Sequence, residues 1–365
     1  MRGRGILLVA ALLAGCAGDD GVGLPSAAPT SAPPAPTASA TPSPTPSPMP
    51  PPSPVTLAFA GDVHFEGALR ARLEDPATAL APIATQLGAA DLTVVNLETS
   101  VGTSGTPEPG KRFTFQAPPS ALTALHTAGV DVVTMANNHA MDFGPDGLTD
   151  TLAATAAARP ENLDVVGVGA NLTEAFAPAL RNVRGTTVAV IGANVPDDPG
   201  ADPTAHWAAR SSTPGVATAL DPAPLLAAVT QARATADVVV VYLHWGVQGE
   251  SCPSPSQTAL ASALAGQADI VVGSHAHLVQ GAGLAPTTDT YVAYGLGNFV
   301  WYTPTEATGM LTVTVENGAV TAESWSPATI GADGLPSFTD EGDAADDMFA
   351  DRAALRECTD LRPLP

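Results

Sequence analysis

Six short polar clusters interrupt a largely apolar sequence, and their residue types are those that hold divalent cations. They read Gly61-Asp62-Val63-His64, Asn96-Leu97-Glu98, Ala136-Asn137-Asn138-His139 with Asp142 and Gly144 close behind, His244-Trp245-Gly246, Gly273-Ser274-His275-Ala276-His277, and Gly295-Leu296-Gly297-Asn298-Phe299. Five of the seven histidines fall in these clusters; the others are His126, which reads as a helix-face residue, and His206, which reads as a loop residue. Neutral imidazole, carboxylate and carboxamide oxygen make a borderline-to-hard ligand set, better suited to Zn, Mn, Fe or Co than to copper. Asp-x-His and His-x-His place alternate residues where the end of a strand can aim both inward. Two cations need a bridging group, and Glu98 is the carboxylate on the neighbouring strand. Cations about 3.5–4 Å apart can activate water and stabilise an oxyanion. Any one of these histidines reads better as a loop residue satisfied by hydrogen bonds. The whole set reads as a centre for two divalent transition metals, Mn, Zn or Fe.

The elements that must position these residues follow from the apolar pattern. Strands are expected at Val55–Ala60, Leu92–Val95, Val130–Met135, Thr187–Ile191, Val238–Leu243, Ile270–Val272 and Tyr291–Tyr294. Helices are expected near Pro76–Ala89, Pro119–Ala128, Pro145–Ala158, Pro222–Thr235 and Ser256–Ala265, several opening with Pro in the first turn, where its missing N–H is not needed. Alternating strands and helices make an α/β domain, with mostly buried sheets between helices. Each polar cluster follows a strand, and open α/β sheets build their sites at the carboxyl ends of strands. Asn317-Gly318 between Met310–Val315 and Ala319–Trp325 predicts a C-terminal β-hairpin with a two-residue turn. Gly61 and Gly297 read as tight-turn residues. Trp245 and Phe299 read either as an apolar wall of the site or as core packing.

Composition bounds the partners. The 365 residues carry 36 acidic against 14 basic side chains, a formal charge of −22. Such a surface repels phosphate backbones and argues against nucleic-acid binding through a basic patch. Lys111, the chain's sole lysine, and Arg112 follow Glu98 in a loop and are expected to contact an anionic group of the substrate; an ordinary exposed basic pair is the alternative. Residues 1–15, with Arg2 and Arg4 before an apolar run, read as a signal peptide too short to span a bilayer. Leu13-Ala14-Gly15-Cys16 resembles a bacterial lipobox, which would make Cys16 the lipid-modified first residue of an extracytoplasmic, membrane-anchored lipoprotein. Residues 16–54 form a Pro/Ala/Ser/Thr-rich linker. Its thirteen prolines between Pro25 and Pro54 favour an extended spacer of up to about 90 Å. The folded domain is expected over 55–327, followed by an acidic tail, 328–365. Cys252 and Cys358 are free to pair in an oxidising compartment, and two thiols also fit the sequence.

The clusters, in this order, resemble the bacterial CapA family, named for capsule and poly-γ-glutamate synthesis, within the calcineurin-like metallophosphoesterase superfamily. The resemblance runs from Ala58 to Phe299 and implies a metallophosphoesterase-like sandwich of central mixed β-sheets flanked by helices. Carried over, it implies that Asp62, His64 and His277 hold one metal, that Glu98 bridges to the second, and that Asn138, His244 and His275 complete the second site. His139 becomes the general acid or a donor to the transition-state oxyanion. Glu98 departs from the Asp usual at the bridging position and is one methylene longer. The implied function is a dinuclear hydrolase of the cell envelope acting on an anionic polymer or phosphoester, in capsule or poly-γ-glutamate synthesis or processing. Two alternatives stand beside it: a non-catalytic, membrane-tethered accessory factor for a polymer synthase, and a nucleotidase or phosphodiesterase unrelated to capsule. Ligand histidines must be neutral, so metal affinity is expected to fall below about pH 6.5.

Overall fold

The computed structural model describes residues 53–196, 204–339 and 341–365. The expected signal peptide, the Cys16 anchor and nearly all of the linker lie outside the described residues. No helix among the described residues is long and apolar enough to cross a membrane.

Apart from a few two-residue pairings, the strands in chain order are β1 (Val55–Val63), β2 (Leu92–Leu97), β3 (Val132–Thr134), β4 (Asp164–Val166), β5 (Ala179–Val183), β6 (Thr186–Pro196), β7 (Val238–Gly246), β8 (Ile270–His275), β9 (Ala282–Leu284), β10 (Tyr291–Ala293), β11 (Asn298–Val300), β12 (Thr305–Glu316), β13 (Ala319–Ile330) and β14 (Pro336–Phe338). They form two sheets. The first has the order β14-β13-β12-β1-β2-β3-β4, with β11 also paired to β1; the second has the order β9-β10-β8-β7-β6-β5. β1 to β4 run parallel, as do β6, β7, β8 and β10, while β12 to β14 add an antiparallel edge. The fold is therefore mixed α/β, as expected.

Side-chain alternation explains the layering. Leu57, Phe59, Val94 and Val132 of the first sheet meet Val188, Val190, Val238, Val240, Tyr242, Ile270 and Val272 of the second in one core. The intervening residues face outward onto helices. Ala58, Ala60, Val95 and Val133 pack with Leu122, Leu125 and Leu148 from helices Ser120–Thr127 and Gly144–Ala158. Val239, Val241 and Leu243 pack with Leu225, Val229, Leu260 and Leu264 from helices Ala223–Arg233 and Pro255–Leu264. Each fully buried Leu, Val or Phe contributes about 1.5–3 kcal/mol over leaving it exposed.

The expected helix at Pro76–Ala89 is instead turns and 3₁₀ structure with a single α-turn, Ala84–Leu87. Pro82 lacks the N–H and crowds the preceding turn, so a continuous helix cannot pass it. The hairpin forms as read, with Asn317 and Gly318 both at positive φ (53° and 81°), the conformation of a type I′ turn. The boundary placed at Pro327 falls inside β13. Beyond it lie β14 and a helix, Asp343–Ala354. A disulfide between Cys252 and Cys358 (Cα–Cα 5.7 Å) ties the C-terminal segment down. Arg352 to Glu323 (2.9 Å) and Arg356 Nε to Ala282 O (2.7 Å) add polar anchors.

Candidate metal centre

Both sheets deliver polar residues to the same end. In β7, residues 238, 240 and 242 face the core between the sheets, so the period-2 pleat puts His244 next in that stripe. In β2, Leu92 and Val94 are followed on the same face by Asn96. β8 carries Ile270 and Val272 inward, and Ser274 continues their stripe. His275 then takes φ 92°, leaving the pleat; its backbone N–H donates to Asp62 Oδ2 (3.1 Å). His277 also has positive φ, 59°. Two non-glycine residues two apart in this region are strained backbone, of a kind that clusters at functional sites. Gly61 is required for a different reason than the turn expected of it. A Cβ there would sit 1.8 Å from Gly297 O, to which the next residue, Asp62, donates its N–H at 2.9 Å.

Two sets of ligand atoms result, Glu98, His244 and His275 in one and Asp62, Glu98 and His277 in the other. Glu98 belongs to both, so one carboxylate is shared between the two sets. Asn138 Oδ1 lies 2.8 Å from His244 Nε2, and His275 Nδ1 lies 3.0 Å from the same nitrogen, so the structure gathers Asn138 into the first set. Asp62 Oδ1 accepts from Asn96 Nδ2 (2.7 Å). Asn137 Nδ2 donates to Asn96 Oδ1 (3.0 Å), and Asn137 Oδ1 accepts from His139 N–H (3.0 Å). His277 Nδ1 pairs with Asn298 Oδ1 at 2.8 Å. Asn96, Asn137 and Asn298 lie in the polar clusters, and the signal for their part in the site is a place on the same strand ends as the ligands.

The donor set tests whether cations fit. Glu98 is wholly buried, and neither of its carboxylate oxygens accepts a hydrogen bond; His275 Nε2 is also buried without one. His244 Nε2 and His139 Nε2 stand 3.5 and 3.6 Å from Glu98 Oε1 without bonding it. A buried carboxylate is costly unless charge compensates it, and a cation held by these atoms would supply that charge.

The protonation pattern points the same way. Burial would raise Asp62, but hydrogen bonds and positive charge from His244 and His277 hold it well below the usual carboxylate range. Burial lowers His244, yet the Glu98 and Asp62 carboxylates outweigh it and lift the group to about 9. His277 is likewise raised, burial being outweighed by Glu98 and Asp62. His275 is pushed well down by burial and by His244. Protons on His244 and His277 thus balance the carboxylates that cations would otherwise neutralise.

Two sequence-selected residues, His64 and Lys111, sit differently from expectation, while Arg112, Trp245 and Phe299 each take one of the two places read for them. His64 lies outside both ligand sets. Its Nδ1 faces the Glu66 N–H (2.9 Å) and its Nε2 the Tyr302 N–H (3.4 Å), so each ring nitrogen is turned to a backbone donor. The ring is held between aromatics, stacked on Phe115 (4.9 Å) and edge-on to Trp301 (4.1 Å), so it offers no lone pair to a cation. Lys111 turns inward: its side chain is 9% exposed and its ammonium lies 2.5 Å from Asp142 Oδ1. Arg112 is exposed and lies over the Phe113 ring. Trp245 and Phe299 are core residues, Trp245 donating to Tyr294 O at 2.7 Å. The aromatic wall of the centre is built instead by Phe115, stacked on His139 (4.2 Å), and by Trp301, which meets His277 (4.7 Å). Neither stands within a polar cluster, so pattern reading had no signal for them.

Residues 56–303 match the family described as bacterial capsule synthesis protein PGA_cap. Over 193 residues the chain is 35% identical to the PGA biosynthesis protein CapA of Bacillus subtilis, covering 52% of this chain and 48% of that one. It is 35% identical over 200 residues to the capsule biosynthesis protein CapA of Bacillus anthracis, covering 52% and 45%. The chain thus spans about half the length of the curated relatives it matches. Among solved structures it resembles a phosphatase from Mycoplasma pneumoniae, with a TM-score of 0.47 at 14% identity, over 81% of this chain and 97% of that one.

Proposed function

The chain belongs to the bacterial capsule synthesis protein family PGA_cap, and from that premise and the chemistry of the centre we propose that it is a metal-dependent hydrolase of the cell envelope, acting on an anionic polymer or a phosphoester. The observation that carries this reading is Glu98, a buried carboxylate shared by two ligand sets, with both oxygens outside any hydrogen bond. Two divalent cations would supply the charge that activates water and stabilises an oxyanion. Asp62, Glu98 and His277 would hold one; Glu98, Asn138, His244 and His275 would hold the other. Asn96 and Asn298 orient Asp62 and His277 through side-chain hydrogen bonds, fixing ligand direction before a cation arrives. His139, its Nδ1 against Asp142 (2.5 Å), presents Nε2 toward Glu98 as the acid that protonates a leaving oxygen. The lipid anchor at Cys16 and the 16–54 spacer would hold this domain outside the cytoplasmic membrane. There it would meet capsule or poly-γ-glutamate, the polymer and capsule named for its relatives.

A second reading, a tethered accessory factor for a polymer synthase, is favoured by His64, whose arrangement withholds the ligand expected of it. One experiment separates them. The domain from Val55 onward, purified without chelator, is expected to carry about two metals per chain, largely lost in a His275→Ala/His277→Ala variant, and to hydrolyse p-nitrophenyl phosphoesters or γ-glutamyl substrates. No bound metal after incubation with Mn or Zn would defeat the hydrolase and leave the accessory role.

A further inference from the structure

The segment from Lys111 to Phe115 passes along the metal centre. Lys111 turns inward and donates to Asn138 O, and Phe115 turns inward onto the His139 ring, which leaves Arg112 and Phe113 exposed between two anchored ends. The Arg112 guanidinium stands 4.8 Å over the Phe113 ring and has no ion pair or side-chain hydrogen bond among the described residues. Every other described arginine except Arg210 meets a carboxylate at 3.9 Å or less, in a chain of formal charge −22. A guanidinium over a ring uses its face for stacking and keeps its in-plane N–H fork for a carboxylate or phosphate.

Tyr302 brings a second donor to the same edge. Its ring meets His64 edge-on (4.7 Å) and stands 6.1 Å from Phe115, while its neighbour Trp301 lies against His277. Tyr302 is 38% exposed, and its Oη has no hydrogen-bond partner among the described residues. Burial and the Glu98 carboxylate raise the phenol while the Arg112 guanidinium lowers it, so both charges lie within electrostatic reach of Oη. Glu66, the other carboxylate within that reach, is taken up by Arg70 (3.1 Å) and the Gln116 N–H (3.0 Å).

We propose that Arg112 and Tyr302 form an anion subsite beside the metal centre, which takes a second acidic group of a substrate whose reacting group lies at the ligand cluster. This rests on the reading of the centre as a hydrolase. Lys111, committed to Asp142, takes no part, so the expected pair Lys111 and Arg112 gives way to Arg112 and Tyr302. The substrate class is then one with two acidic or acyl groups close together. A γ-glutamyl chain qualifies, because each residue carries a free carboxylate one carbon from the amide nitrogen. So does a phosphoester with a further phosphate. The chemistry shared by both is an anion that a guanidinium fork and a phenol can receive together.

The test is calorimetric binding of phosphonates, whose carbon–phosphorus bond resists hydrolysis, to the Mn-loaded chain. Phosphonoacetate, 3-phosphonopropionate and 4-phosphonobutyrate are each compared with the alkylphosphonate of equal carbon number. The wild type is expected to bind at least one acid about tenfold or more tighter than its alkyl counterpart. Arg112→Gln is expected to erase that margin, Tyr302→Phe to reduce it, and Arg210→Gln, with the same change in charge, to keep it. No margin in the wild type overturns the subsite. So does a margin that survives Arg112→Gln, since the acid would then be reaching the metal, and so does equal loss in Arg210→Gln, which would be net charge acting at a distance. Ethane-1,2-diphosphonate in place of 3-phosphonopropionate distinguishes a phosphate-bearing from a carboxylate-bearing substrate. Failure of the hydrolase reading shows separately, as absent Mn or absent affinity for the alkylphosphonates.

Discussion

Metal affinity should climb steeply between pH 7 and pH 9, well above the window that unperturbed histidines would set. The perturbation is pH itself, acting on His244, which Glu98 and Asp62 lift to about 9 against the effect of burial. A cation can take His244 Nε2 only when the ring is neutral, so at pH 7 binding must displace a proton held about two pH units too strongly. At about 1.36 kcal/mol per unit this costs about 2.7 kcal/mol, or roughly 100-fold in affinity, recovered on going to pH 9. His277 is raised for the same reasons and steepens the slope. The sign for the fold is opposite. A raised imidazole stabilises the metal-free chain fully below about pH 6.5, and that contribution is lost as pH rises through about 9. Calorimetric Mn titration at pH 7, 8 and 9, in buffers of different ionisation enthalpy, reads both affinity and protons released. The expectation is at least one proton released per chain at pH 7, falling to about half as many at pH 9. Affinity flat from pH 7 to 9, with no proton released, would refute the charge balance ascribed to Asp62, Glu98, His244 and His277.

Other perturbations have distinct signatures. Glu98→Gln removes the shared carboxylate and should reduce bound metal below one per chain by elemental analysis, with the circular dichroism spectrum unchanged; two retained metals would contradict the bridge. His139→Ala should keep both metals and lose about 10²–10⁴-fold in turnover of any phosphoester the wild type hydrolyses. Cys252→Ser/Cys358→Ser opens a loop of sequence separation 106. Chain entropy over a loop of about 100 residues is worth about 4.7 kcal/mol, so Tm should fall by roughly 7 °C with metal content unchanged. Gly61→Ala must push against Gly297 O and should lose soluble expression or bound metal, whereas Gly331→Ala, whose added Cβ meets only Asp333 Oδ1 at an ordinary contact distance of 3.5 Å, should lose neither.

The fold was legible wherever apolar runs were long. Val238–Leu243 and Ile270–Val272 have no other plausible role, and each strand proved to extend into the polar residues that follow it. β4, β9 and β11 were not legible, because three residues cannot show a period, and Pro82 defeated a helix that apolar spacing alone supported. At the site, residue type and placement after strands marked Asp62, Glu98, Asn138, His244, His275 and His277. They could not show that Phe115 and Trp301 would enclose His64, or that Lys111 would turn inward, because those outcomes depend on how a loop of ordinary composition lies across the sheet ends. The C-terminal helix stayed hidden for a related reason: its one-sided burial is slight, with Ala345 its only buried side chain, and its attachment is a covalent bond and a few ion pairs.

The buried strand β7 has one more consequence. Val238-Val239-Val240-Val241 is buried on both faces, so hydrophobicity hardly distinguishes the native register from one shifted by a single residue. Such a shift would send Trp245 toward the ligand cluster and His244 into the helix layer. What opposes it is polar: Tyr242 Oη on Ala60 O at 2.8 Å, Trp245 Nε1 on Tyr294 O, and His244 against Asn138. The residues that would do chemistry therefore also index the strand, and a substitution at His244 should broaden the ensemble of folded registers as well as remove a ligand.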